Sequence, residues 1–195
     1  MTTANKITIL RILLIPVFVV EVLYYVRTEN EIHRLLAILC FAVASILDGV
    51  DGYVARHYHQ WSELGTVLDP LADKLLLVSA IVLLSFDHTP YLRTIPLWLT
   101  GVVIGRDLLL GIGAMVVRLV VGNIRVRPRL TGKLATVFQM VVVGWILLRW
   151  DFDYALMSLW VMAAGLFTAV SGLFYVWDGM HQLGKHPASS ASRKN

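Results

Sequence analysis

Six stretches of predominantly apolar residues fill the chain almost end to end: Ile7–Val26, Leu35–Ala55, Leu64–Phe86, Thr94–Val121, Leu134–Leu148 and Tyr154–Trp177. Each is close to the ~20 residues that a helix needs to cross a bilayer, the fifth being on the short side. Backbone in hydrocarbon must satisfy its own hydrogen bonds, and apolar runs of this length do so as helices. The charge content agrees. Only 15% of the 195 residues are charged and 57% are hydrophobic, against about 25% charged in an ordinary soluble domain. So few charges cannot clothe a soluble core, which excludes a soluble globular enzyme, a disordered chain and a nucleic-acid-binding domain. The expected fold is all-α, a polytopic membrane protein with six transmembrane helices. Residues 1–180 form one membrane domain, and 181–195 form a polar tail.

The first apolar stretch is too long for a cleaved signal peptide, and no small-residue cleavage site follows it. The single cysteine, Cys40, lies inside an apolar run, so no intrachain disulfide forms. The formal net charge is +4, an excess that in a membrane protein marks cytoplasmic loops and anionic headgroups. An even number of spans puts both termini on one side. That side carries Lys6, Arg11, Arg56, Arg125, Arg127, Arg129, Lys133, Lys185, Arg193 and Lys194, ten basic residues. The other carries Arg27, Arg34, Arg93 and Arg149, which is four. By the positive-inside rule both termini are cytoplasmic, in the cell (inner) membrane.

Four acids sit where acids are expensive. Asp48 and Asp51 lie near the end of the second stretch, and Asp69 and Asp73 near the start of the third. Insertion scales charge about 2.5–3.5 kcal/mol for each in mid-bilayer. The spacings i,i+3 and i,i+4 put each pair on one helix face. A short turn at His57–Ser62 makes the two helices antiparallel neighbours, with both pairs at similar depth. Left bare, four facing carboxylates repel one another and take up protons. All-oxygen ligation suits Mg²⁺ or Mn²⁺, and four carboxylates have capacity for two ions. On the acids alone, a proton or cation pathway in a transporter is the competing reading.

The segment carrying them reads DGVDGYVARHYHQWSELGTVLDPLAD, residues 48–73. It resembles the signature of the CDP-alcohol phosphatidyltransferases, D-x2-D-G-x2-A-R-x(7–8)-G-x3-D-x3-D. Asp48, Asp51, Gly52, Ala55, Arg56, Gly65, Asp69 and Asp73 all match it. Asn5-Lys6-Ile7-Thr8 is similar to the family's P-N-x-x-T entry, with Ala4 where proline is usual. The resemblance implies a CDP-diacylglycerol donor, an alcohol acceptor and release of CMP. It implies two divalent cations held by Asp48, Asp51, Asp69 and Asp73, with Asp73 also the general base. Asn5, Thr8, Gly52, Ala55, Arg56 and Gly65 would bind the CDP moiety, the glycines and the alanine by letting it approach the helix backbones. A homodimer among membrane lipids is implied as well.

For the acceptor, Asn5–Val19, the run Leu68–Lys74, and Gly132-Lys133 with Thr136 and Gln139 resemble the subgroup that uses glycerol 3-phosphate. Gly105-Arg106-Asp107 and Val126-Arg127-Pro128 look more like the subgroup that uses phosphatidylglycerol to make cardiolipin. Glycerol 3-phosphate is the favoured acceptor and phosphatidylglycerol the alternative. Arg106, Arg118 and Lys133 are the candidate acceptor-binding residues. Arg118 and Lys133 are the choice for a water-soluble phosphate, and Arg106 is expected near the metal site or paired with Asp107. A non-enzymatic transporter is less favoured, because the chain has no internal repeat and its acids gather at one interface.

Overall fold

A computed structural model describes the backbone of residues 3–58, 63–88, 91–121, 130–149 and 154–184. It describes the side chains of 7–48, 71–72, 74–88, 91–113, 115–116, 119, 130–149 and 155–181. All regular structure among these residues is α-helical. The helices are α1 (Thr3–Thr28), α2 (Glu31–Tyr58), α3 (Glu63–Ser85), α4 (Leu97–Val121), α5 (Leu130–Leu147) and α6 (Tyr154–Gly184). Each of the six apolar stretches is thus the body of one helix. By length and composition, Ile7–Thr28, Leu130–Leu147 and Ala155–His181 suffice to cross a membrane among the described residues, and Lys74–Ser85 is a shorter apolar helix.

The ends of the helices have local causes. Pro96 keeps Ile95 out of helical conformation, and its carbonyl accepts the first bond of α4, from Leu99 N at 2.9 Å. Helix α4 therefore starts three residues later than the apolar stretch. Helix α1 stops where Glu29 takes a φ of 60°, the left-handed turn that ends many helices. Asn30 then caps α2, its Oδ1 accepting from Ile32 N at 3.0 Å. Helix α6 runs on through His181 to Gly184, four residues into the stretch read as tail, because Met180 to Leu183 are all residues that a helix accommodates.

The chain divides into two compact units, residues 1–95 with 143–152, and residues 96–142 with 153–195. In the first, α1 packs on α2 and α3, and α2 also touches α3. Helix α1 contributes one buried stripe: Thr8, Arg11, Ile15, Phe18, Val22 and Tyr25. The spacing of three and four residues is that of a single helix face. Its opposite side exposes Leu10, Leu13, Val17, Val20 and Leu23. Large apolar side chains facing outward along the helix are what lipid-facing surface requires. Far from Thr8, the stripe ends in a polar network. Arg149 Nη1 donates to Tyr25 Oη and Glu31 Oε1, each at 3.2 Å. Arg34 bonds Glu31 at 2.5 Å and the Leu147 carbonyl at 3.2 Å.

In the second unit α4 packs on α6. Phe138 of α5 stacks on Phe167 of α6, ring centroids 5.1 Å apart. Buried Gln139 donates to Thr168 Oγ1 at 2.9 Å, and that hydroxyl donates to Ala164 O at 2.6 Å. Trp98 covers Gly165, where a Cβ would lie 2.4 Å from the indole ring.

Candidate active site

Two polar side chains open the buried stripe of α1. Thr8 and Arg11 have no exposed surface at all. A guanidinium so enclosed needs a counter-charge, and Asp48 supplies it: Arg11 Nη1 donates to Asp48 Oδ1. Asp48 is the next position on the buried stripe of α2 that runs through Ala37, Phe41 and Ala44. The pair is asymmetric. Arg11 is fully enclosed while the Asp48 side chain is 38% exposed, so the carboxylate is anchored from inside and open on the other side. A carboxylate held in that way is a hard oxygen donor with a fixed direction, suited to Mg²⁺ or Mn²⁺.

The other three aspartates lie on α2 and on the next helix, α3. Asp51 follows Asp48 by three residues on α2, and Asp69 and Asp73 lie four apart on α3. The expected placement of the acids on two successive helices holds at the level of the backbone. The side chains of Asp51, Asp69 and Asp73 lie outside the described residues, as do those of Asn5, Gly52, Ala55, Arg56 and Gly65. Lys74 is half-buried.

The sequence reading grouped Arg11 with the basic residues of the terminal side. Its place is instead the buried ion pair, and removing it from the ten basic residues of the terminal side leaves nine against four. The signal was available in the phase of α1. Arg11 lies four residues before Ile15 and three after Thr8, on the stripe that buries Phe18 and Val22.

The candidate acceptor residues fall in the second unit. Arg106 of α4 is paired with its neighbour: Nη1 donates to Asp107 Oδ1 at 2.7 Å, both side chains mostly buried. Its Nη2 donates to Ser171 Oγ of α6 at 3.4 Å, and Cζ lies 5.9 Å from the Tyr175 ring centroid. The structure also brings α5 to this place, since a Cβ on Gly132 would lie 3.1 Å from Arg106 Nη2. Lys133 follows with its side chain exposed. The Arg118 side chain lies outside the described residues. Ser171 and Tyr175 were not singled out by the sequence, because a serine and a tyrosine in an apolar helix announce nothing until α4 is laid beside α6.

Helices that bury charge in pairs within apolar faces, once in each unit, define a membrane protein with polar groups held between its helices. The family model for CDP-alcohol phosphatidyltransferase matches residues 1–171, and the chain belongs to that family and is an enzyme of its class. It is 36% identical over 183 residues to a Mycobacterium tuberculosis protein named "Probable phosphatidylglycerophosphate synthase", covering 93% of this chain and 83% of that one. It is 36% identical over 194 residues to the CDP-diacylglycerol–glycerol-3-phosphate 3-phosphatidyltransferase of Bacillus subtilis, covering 90% and 95%. A Drosophila melanogaster protein named "Probable cardiolipin synthase (CMP-forming)" is 32% identical over 198 residues, covering 91% of this chain and 58% of that one.

Proposed function

We propose that this enzyme transfers the phosphatidyl group of CDP-diacylglycerol to glycerol 3-phosphate and releases CMP. The observation that carries the reading is the anchored Asp48 at the head of an eight-position signature on α2 and α3. The Bacillus subtilis relative named for glycerol 3-phosphate is 36% identical and matched over 95% of its own length, against 32% and 58% for the relative named for cardiolipin, which supports glycerol 3-phosphate over phosphatidylglycerol.

The acceptor hydroxyl attacks the β-phosphorus of the donor. Its proton passes to the Asp73 carboxylate, the bond from that phosphorus to the bridging oxygen breaks, and CMP departs. Asp48, Asp51, Asp69 and Asp73 would hold two divalent cations, Mg²⁺ or Mn²⁺, which supply charge neutralisation for the pyrophosphate and the leaving group. Asn5, Gly52, Ala55, Arg56 and Gly65 bind the CDP moiety, while Thr8, expected among them, has no exposed surface and keeps its place on the buried face of α1. Arg106, Arg118 and Lys133 receive the acceptor phosphate, Arg106 from inside the helices and Lys133 from an exposed position. Residues 1–180 act as one catalytic membrane domain. Six spans with both termini cytoplasmic agree with the excess of basic residues on the terminal side.

The deciding experiment supplies purified protein with radiolabelled CDP-diacylglycerol and Mg²⁺, and offers glycerol 3-phosphate and phosphatidylglycerol in parallel. Phosphatidylglycerophosphate and CMP are the expected products. Cardiolipin as the sole lipid product would replace this acceptor by phosphatidylglycerol.

A further inference from the structure

The surroundings of Arg106 are more elaborate than an ion pair with its own neighbour needs. The side chain lies against α6 at Gly172, where a Cβ would meet Arg106 Cγ in ordinary contact at 3.4 Å. At its far end the guanidinium lies over Gly132. The point an alanine Cβ would occupy is 3.1 Å from Arg106 Nη2, 3.3 Å from Ser171 Oγ and 3.8 Å from Tyr175 Oη. Three polar groups from α4 and α6 thus converge on one bare backbone position of α5. Arg106 Nε is buried and has no hydrogen-bond partner among the described residues.

We infer that Ser171, Tyr175 and Gly132 are positioning residues that hold the Arg106 guanidinium in one place and orientation for the anionic group of the acceptor. The inference rests on the reading of Arg106 as acceptor-binding. An arginine left to itself loses much rotamer freedom when it engages a ligand, and one fixed beforehand loses less. Each residue fixes it differently. The Ser171 hydroxyl accepts from Nη2, the face of the Tyr175 ring attracts the cation, and the absent side chain of Gly132 leaves the room that Nη2 occupies.

The test is steady-state kinetics of the purified full-length enzyme for both substrates, in Arg106→Gln, Ser171→Ala, Tyr175→Leu, Tyr175→Phe and Gly132→Ala. Ser171→Ala and Tyr175→Leu should each raise KM for glycerol 3-phosphate about three- to tenfold, with KM for CDP-diacylglycerol unchanged. Tyr175→Phe keeps the ring and should stay within about twofold of the parent. Gly132→Ala should behave like the loss of Ser171. Combined with Arg106→Gln, neither Ser171→Ala nor Tyr175→Leu should raise KM further, because nothing is left to position. If Arg106→Gln raises the acceptor KM while the other variants do not, the positioning roles are overturned and the acceptor reading stands. If Arg106→Gln leaves that KM unchanged, the acceptor role of Arg106 fails and this inference falls with it. Equal rises for both substrates, or effects that add to Arg106→Gln, would mark a general packing role and overturn the inference. Should Tyr175→Leu not fold, Ser171→Ala and Gly132→Ala decide alone.

Discussion

Asp48 and Asp73 carry the same carboxylate but differ in what their loss should do. Asp48→Asn removes a proposed cation ligand and also the counter-charge of the enclosed Arg11. Breaking a buried pair costs about 3–5 kcal/mol, and the partial exposure of Asp48 puts the expected loss at about 3 kcal/mol at most. Its activity should recover in part as Mg²⁺ is raised, and thermal unfolding in detergent should show the lowered stability. Asp73→Asn removes the proposed proton acceptor, which added cation cannot replace. A fall of about 10²–10⁴-fold is expected at saturating Mg²⁺, with CDP-diacylglycerol still bound in a filtration assay. If both variants respond alike to added Mg²⁺, Asp73 has no separate role as base. Glu31 offers a pH test at the other end of the same unit. Its hydrogen bond from Arg34, with the charges of Arg34 and Arg149, holds its carboxyl below the ordinary glutamate value. A lowered carboxyl stabilises the fold above its unfolded pKa and loses that contribution as pH falls through the lower folded value. Acidification through the range below ~4.3 should therefore weaken the parent more than Glu31→Gln. Thermal unfolding across that range in both proteins measures the difference, and parallel losses would remove Glu31 from the account.

At the scale of helices, two contacts join elements that the sequence leaves unrelated. Gln139 and Thr168 make a buried polar bridge between α5 and α6. Such bridges in membrane helices contribute about 0.6 kcal/mol on average and up to about 1.7. Gln139→Leu should lower stability by that order, and Thr168→Val should add little to it. Gly165 is a notch for Trp98, with no room for a Cβ. Gly165→Ala forces the indole aside and should cost about 1–3 kcal/mol, most of it recovered when Trp98→Leu is added. Additive losses would mean that the ring and the glycine do not share the site. These contacts also mark how far the sequence could be read. Apolar length located all six helices, and fixed spacing located the four aspartates, because both signals are written along a single helix. Which helix covers Gly165, or what meets Arg11, depends on neighbours brought together from distant positions. Nothing along the sequence pairs Trp98 with Gly165, and only the packing of α4 on α6 shows the ring filling a notch.

For the whole molecule, the orientation in the membrane is open to direct measurement. A cysteine placed at Gln60, with Cys40 replaced by alanine, should react with a membrane-impermeant thiol reagent only in opened or inverted membranes. Labelling in sealed right-side-out cells would invert the proposed arrangement. Construction of the molecule follows the same logic of charge. Arg11 stands near the start of the apolar run Ile7–Thr28, and its partner Asp48 comes thirty-seven residues later in the chain. During synthesis the first helix therefore exists for some time with a cation and no acid opposite it. In that interval the guanidinium is expected to reach back toward the headgroups, which would leave the helix shallower than in the finished protein. Delivery of Asp48 by the second helix would then release it to sink. A nascent chain halted before Asp48 should then leave a reporter cysteine at Thr8 open to water, and one extended beyond Asp48 should close it. The ion pair that later fixes a carboxylate for chemistry would first serve as the catch that seats the opening helix.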